Sequence, residues 1–158
     1  MKIYFLRHGV AFDSGDWEGS DFDRPLTAAG RDRMKREAKR IAELGVDPGS
    51  IVTSPLVRAK ETAQIVAAQL KMLDRLIEDE RLGPDFSPER LETIVAEHAA
   101  STALMVVGHE PSMSHTIGRI VGTARIDLKK GALACVEIDA ATPGHATLLF
   151  LLPPKTLL

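Results

Sequence analysis

One cysteine, Cys135, in a chain of 158 residues excludes an internal disulfide. It lies in an apolar run and reads as an inert core residue. Long hydrophobic stretches are also missing: no apolar run approaches the ~20 residues that a membrane-spanning helix needs. The amino terminus has no basic region followed by an apolar signal core, and a first strand beginning at residue 2 or 3 is expected to leave no room for a removed leader. No excess of one charge is present either. A formal net charge of -2 carries no electrostatic footprint for nucleic acid. These absences point away from nucleic acid and membrane, and toward a reducing, cytoplasmic compartment. With 44% hydrophobic and 27% charged residues, the composition is that of an ordinary globular chain, long enough for one domain with a sizeable core. We expect a single domain over 1–158, with no internal repeat or linker.

Ile3 to Leu6 is a short continuous apolar run, the mark of a strand buried on both faces, and it ends abruptly in Arg7-His8-Gly9. In open α/β sheets, ligands bind at the carboxyl ends of strands. The residues there suggest anion binding by Arg7 and nucleophilic or acid/base chemistry by His8. A loop rich in Asp, Ser and Gly then reaches Pro25. Its Phe12, Trp17 and Phe22 are expected to pin the loop to the body, the other reading being a substrate-facing rim. Thr27 is an N-cap. Met34, Ala38, Ile41 and Ala42 form the apolar face of the helix it opens, with Arg31, Lys35, Arg36, Lys39 and Arg40 on the solvated face beside Asp32, Glu37 and Glu43. Gly45 ends it.

Ile51 to Thr53 reads as a second strand, and Ser54-Pro55 as cap and first-turn proline of the next helix. Ala59, Ala63, Val66 and Leu70 face inward on that helix. Arg58, in its first turns, opposes the helix dipole, which makes sense if it points at an anion. Leu76-Ile77 is a brief third strand, followed by Glu78, Asp79 and Glu80. Ser87-Pro88-Glu89 opens another helix, with Leu91, Ile94, Val95 and a structural His98 inward. Leu104 to Val107 repeats the first pattern: an apolar run, then Gly108-His109, then a helix carrying Met113, Ile117, Ile120 and Val121. His115 in that helix reads as a packed or surface residue. Two last runs, Ala132 to Ile138 and Ala146 to Leu152, flank a Thr142-Pro143-Gly144 turn and read as a hairpin at the sheet edge. Short strands alternating with helices predict an α/β fold with a mostly parallel sheet and helices on both faces.

If the strands are parallel, Arg7, His8, Arg58 and His109 share one end of the sheet with two helix amino termini. Such a site suits a tetrahedral dianion, since arginine forks match phosphate oxygens and helix starts add backbone donors. Two guanidiniums can stabilise phosphoryl transfer without a metal, and a neutral imidazole is a competent nucleophile. One His8 nitrogen is expected to bond within the protein while the other attacks.

These blocks resemble the histidine phosphatase superfamily, and within it the small SixA-type protein-phosphohistidine phosphatases. The carriers are Leu6-Arg7-His8-Gly9, then Arg24-Pro25-Leu26-Thr27-Ala28-Ala29-Gly30, then Ser54-Pro55-Leu56-Val57-Arg58-Ala59 with Glu61-Thr62-Ala63, then Val107-Gly108-His109-Glu110-Pro111, and finally Leu152-Pro153-Pro154-Lys155. The resemblance implies a phosphoglycerate mutase-like fold, phosphorylation of His8, phosphoryl binding by Arg7, Arg58 and His109, and no cofactor. Larger members use a carboxylate after the third strand as proton donor. Glu80 is our choice for that position, against Glu78, Asp79, Asp16 and Asp21. The expected substrate is phosphohistidine on a partner protein, because a short chain without a long insertion builds no lid. Alternatives are a small phosphorylated metabolite and a non-catalytic phosphoprotein-binding module. A metal site from His8, His98, His109 and His115 has no spacing in its favour.

Overall fold

Six strands form one sheet in the order β3-β2-β4-β1-β5-β6. They are β1 (Lys2–Arg7), β2 (Ile51–Thr53), β3 (Leu76–Glu78), β4 (Ala103–Gly108), β5 (Leu133–Ile138) and β6 (Ala146–Leu152). The first four run parallel, while β5 lies antiparallel to both β1 and β6. The computed structural model describes residues 1–123, 125–139 and 145–158. The expected Thr142-Pro143-Gly144 turn lies outside the described residues. The hairpin itself is present at the sheet edge, as the runs implied.

Helices α1 (Ala28–Glu43), α2 (Val57–Leu70), α3 (Pro88–Glu97) and α4 (Ser112–Val121) cover the sheet. Alternation along β1 decides which helices go where, since successive side chains point to opposite faces. Ile3 and Phe5 pack with Leu91 and Ile94 of α3 and Met113, Ile117 and Ile120 of α4. Tyr4 and Leu6 pack with Met34, Ala38 and Ile41 of α1 and Ala59, Ala63 and Val66 of α2. Each fully buried Leu, Ile, Val, Phe or Met among them contributes roughly 1.5–3 kcal/mol. The fold is the α/β arrangement expected. Cys135 is buried in the second layer, where burial raises its thiol pKa.

Thr27 caps α1 by accepting from the Gly30 backbone N–H at 2.9 Å, and Ser87 caps α3 by accepting from Arg90. Two expectations need correction. Ser54-Pro55 does not open α2: the helix starts at Val57, its N-cap Leu56 supplies no side-chain cap, and Ser54 stays on the strand end. Glu37 is not on the solvated face. It is 1% exposed and paired to Arg33 at 2.8 Å, because the spacing 34, 37, 38, 41 puts it on the inner stripe.

Gly30 has a steric reason. A Cβ there would overlap the carbonyl oxygen of Val10, in the segment that follows His8 and Gly9. That carbonyl accepts the Thr27 N–H at 3.0 Å, so it cannot move freely. Gly30→Ala is expected to destabilise the protein by about 3 kcal/mol, at the upper end of overpacking effects. Chemical denaturation of the variant measures this, and a loss below about 1 kcal/mol would show that α1 tolerates the methyl group.

Candidate active site

Parallel register assembles the site. Arg7 pairs with Gly108 across β1 and β4, and Thr53 with Val107 across β2 and β4. The residues that follow, His8, His109 and Ser54, therefore emerge side by side at the carboxyl ends of three strands. The His8 and His109 ring centroids are 5.3 Å apart. Arg58 reaches the same place from the first turn of α2.

His8 is buried, and its Nδ1 lies 2.8 Å from the carbonyl oxygen of Gly9. A carbonyl only accepts, so Nδ1 carries the proton and Nε2 is left with its lone pair. Burial is the main cause that pushes the His8 pKa down to about 3; His109, Arg58 and Arg7 push the same way, and the Gly9 contact opposes them. At neutral pH the ring is uncharged. Its turn is held by Thr62, whose Oγ1 accepts the Gly9 N–H at 3.0 Å and donates to the Arg58 carbonyl at 2.7 Å.

His109 is buried too, with Nε2 2.8 Å from Ser54 Oγ. Burial first, then Arg58, lowers its pKa to about 4. Its Nδ1 is buried without a partner, as are Arg7 Nε and Arg58 Nε. Buried donors are seldom left unmade, since each costs about 1–3 kcal/mol. Three at one strand end describe a place for an acceptor-rich ligand. If Ser54 donates to Nε2, the His109 proton sits on Nδ1, available to an anion.

Arg7 is engaged at one terminal nitrogen and Arg58 at both. Arg7 Nη1 donates to the Leu128 carbonyl at 2.9 Å. Arg58 Nη1 donates to the Asp21 carbonyl at 2.8 Å, and its Nη2 to Asp21 Oδ2 at 3.1 Å. The anion in contact with Arg58 in this structure is the Asp21 carboxylate. Glu110 caps α4, accepting from the Ser114 N–H and hydroxyl at 2.9 and 2.6 Å.

The structure brings Arg7, His8, Arg58 and His109 together. Glu80 is exposed at the head of a 3-10 turn, Glu80–Leu82. The Leu82 carbonyl of that turn lies against Gly108, next to His109. Glu78 pairs with Lys60 at 2.6 Å, and Asp79 with Arg81. Asp16 ends an exposed 3-10 turn. His98 closes α3 half-buried, and His115 is exposed. Among the described residues, no three His, Cys, Asp or Glu are grouped to hold a metal, and no helix is long and apolar enough to cross a membrane. Of the aromatics expected to pin the long loop to the body, two stand largely in solvent. Phe12 and Phe22 are 37% and 50% exposed, and Phe12 stacks on Trp17 at 5.8 Å. Sequence reasoning missed Ser54 and Thr62 as site residues. Their signal was only their place inside the quoted blocks.

The family model of the histidine phosphatase superfamily (branch 1) matches residues 3–83, just over half of the chain. The chain belongs to the histidine phosphatase superfamily. A 35% identical relative, an uncharacterized protein of Picosynechococcus sp., aligns over all of this chain and 99% of its own length. Two solved structures share the fold end to end. The protein histidine phosphatase SixA complexed with tungstate has a TM-score of 0.88 at 22% identity, with 100% of both chains covered. A mutant phosphoserine phosphatase from Entamoeba histolytica in complex with phosphoserine has 0.75 at 16%, with 99% of both covered. Histidine phosphatase membership supports phosphatase activity for this chain.

One consequence of the site is a pH-dependent stability. Both histidines have folded pKa values below the ~6.5 of the unfolded chain. Between pH 6.5 and about 4 the unfolded chain takes up protons that the folded site excludes, so stability falls as pH falls. Each histidine contributes about 1.4 kcal/mol per pH unit in that window. Unfolding free energies measured at pH 7 and 5.5 should show the drop, and His8→Asn should make it shallower. An unchanged slope in the variant would mean that His8 protonates in place.

Proposed function

We propose that one histidine phosphatase domain spanning 1–158 transfers a phosphoryl group to His8 Nε2 and releases it to water, and that its substrate is phosphohistidine on a partner protein. The observation that carries the chemistry is the meeting of the uncommitted His8 Nε2 with three buried nitrogens that have no partner, Arg7 Nε, Arg58 Nε and His109 Nδ1. In this reading the three donors hold the equatorial phosphoryl oxygens, where charge develops in transfer. His8 attacks phosphorus as the P–N or P–O bond to the leaving group breaks. Water then attacks the phosphohistidine, giving inorganic phosphate and returning the His8 lone pair. Glu80, on the turn packed beside Gly108, is our candidate for delivering the proton to the leaving group, and for accepting one from water.

The finer choice of substrate is supported by the rim. Only three residues separate β2 from α2 and β4 from α4. The long β1–α1 connection carries exposed Phe12 and Phe22 together with Asp13, Asp16, Glu18, Asp21 and Asp23. An acidic rim disfavours small polyanions, and exposed aromatic rings suit contact with a protein surface. SixA, a protein histidine phosphatase in its own right, shares the whole fold and was solved with a tetrahedral oxyanion, tungstate.

The test is phosphate release from a phosphohistidine-bearing carrier protein, run beside a panel of small phosphate esters. Preferential release from the carrier is the expected result. Release only from small esters would keep the chemistry and overturn the substrate.

A further inference from the structure

We propose that Asp21 is a positioning residue of the phosphoryl pocket: from the β1–α1 loop it grips the outer edge of Arg58 and thereby presents Arg58 Nε to the substrate. The proposal rests on reading the pocket as a phosphoryl site.

Six contacts carry it. Asp21 takes both terminal nitrogens of Arg58, one with its backbone carbonyl and one with Oδ2, at 2.8 and 3.1 Å. This leaves Nε as the one nitrogen of that guanidinium with no partner at all. The next residue, Phe22, accepts the Val57 N–H at 3.0 Å, so the loop itself caps a helix that has no side-chain cap. The loop end and the start of α2 are thereby one unit. Finally, Arg24 braces the carboxylate from the other side, with Nε and Nη2 on Asp21 Oδ1 at 3.0 and 2.8 Å, and its Nη1 donates to the Phe12 carbonyl at the far end of the loop.

The same contacts separate this role from proton donation. The hydrogen bond from Arg24 is the main cause that holds the Asp21 carboxyl below its ordinary range, and Arg58 adds to it. Asp21 is thus ionised at neutral pH and has no proton to give. An alternative is that the carboxylate guards the pocket and repels phosphate. Its side chain is 59% exposed, so solvent screens that repulsion. Arg58, at 7%, is held in a dry setting where losing a fixed orientation is felt directly.

The experiment compares wild type, Asp21→Asn and Asp21→Ala in two measurements. The first is the affinity for inorganic phosphate by titration. The second is kcat and KM for aryl phosphates whose leaving groups run from good to poor. Asp21→Ala should weaken phosphate roughly tenfold and lower kcat/KM by a similar factor, whatever the leaving group. Asp21→Asn, which keeps the shape and an acceptor for Nη2, should fall between. Unchanged or tighter phosphate binding overturns the proposal. So does a loss that grows as the leaving group worsens, which would make Asp21 the acid. Glu80→Gln run beside it supplies the leaving-group-dependent pattern for comparison. Should the wild-type protein bind phosphate but turn over nothing, the hydrolase reading fails while the phosphate titration still decides the role of Asp21.

Discussion

Replacing His8 by alanine is expected to abolish phosphate release, with a loss on the order of 10⁴-fold or more, the scale seen when a covalent nucleophile is removed. The structure shows why no neighbour can substitute. His8 Nδ1 is committed to Gly9, so Nε2 carries the lone pair, and burial with two arginines nearby keeps the ring neutral. The other imidazole of the pocket, His109, is 5.3 Å away and fixed by Ser54 at Nε2. In the proposed mechanism its remaining nitrogen donates to the phosphoryl group rather than attacking phosphorus. Two measurements check this. Steady-state release by wild type and His8→Ala gives the factor. Rapid denaturation of wild type during turnover, followed by peptide mapping, should recover an acid-labile phosphoryl group on His8. Activity of His8→Ala within tenfold of wild type would sink the mechanism. The variant should still bind inorganic phosphate, because Arg7, Arg58 and His109 remain.

Arg58→Ala is the second large effect, a fall in kcat/KM of about 10²–10³-fold, typical of removing one preorganised donor from a developing charge. Arg58 is 5% exposed, so its charge acts through protein and not through water. Arg58→Lys should recover little of the loss. An ammonium offers a point charge, whereas the guanidinium uses its terminal nitrogens for Asp21 and its Nε for the ligand at once. Stability should change less than activity, because the partner left behind, Asp21, is mostly exposed and still held by Arg24. Kinetics on both variants, with thermal melts as the folding control, give the answer. Near-wild-type turnover by Arg58→Lys would remove the fork geometry from the account.

Much of the frame is legible in the chain. Runs such as Ile3 to Leu6 and Leu104 to Val107 can hardly be anything but buried strands, and the spacing of Met34, Ala38 and Ile41 can only face a core. Thr27 and Ser87 announce their helices because a cap acts over three residues. The misreadings share one cause. Ser54-Pro55 carries a generic helix-start signal, and only the register of β2 on β4 makes Ser54 the neighbour of His109. Glu37 follows the apolar spacing but is charged, and the buried pair with Arg33 that makes its position tolerable cannot be seen in composition. Phe12, Trp17 and Phe22 are apolar enough for a core, yet the loop that bears them ends on Arg58 and leaves two of the rings in solvent.

Local order and short-range periodicity are what a chain states on its own, because helices, strands and caps are decided within a few residues. That was enough for an α/β sheet, for the positions of Arg7, His8, Arg58 and His109 at strand or helix ends, and for the family. That Ser54 serves His109 and that Asp21 is the anion facing Arg58 depend on pairs 37 to 55 residues apart, and that His8 is uncharged depends on burial that no segment has alone. Those were decided by the packing of parallel strands, which brings distant residues to one edge and removes the water that would otherwise set their charge.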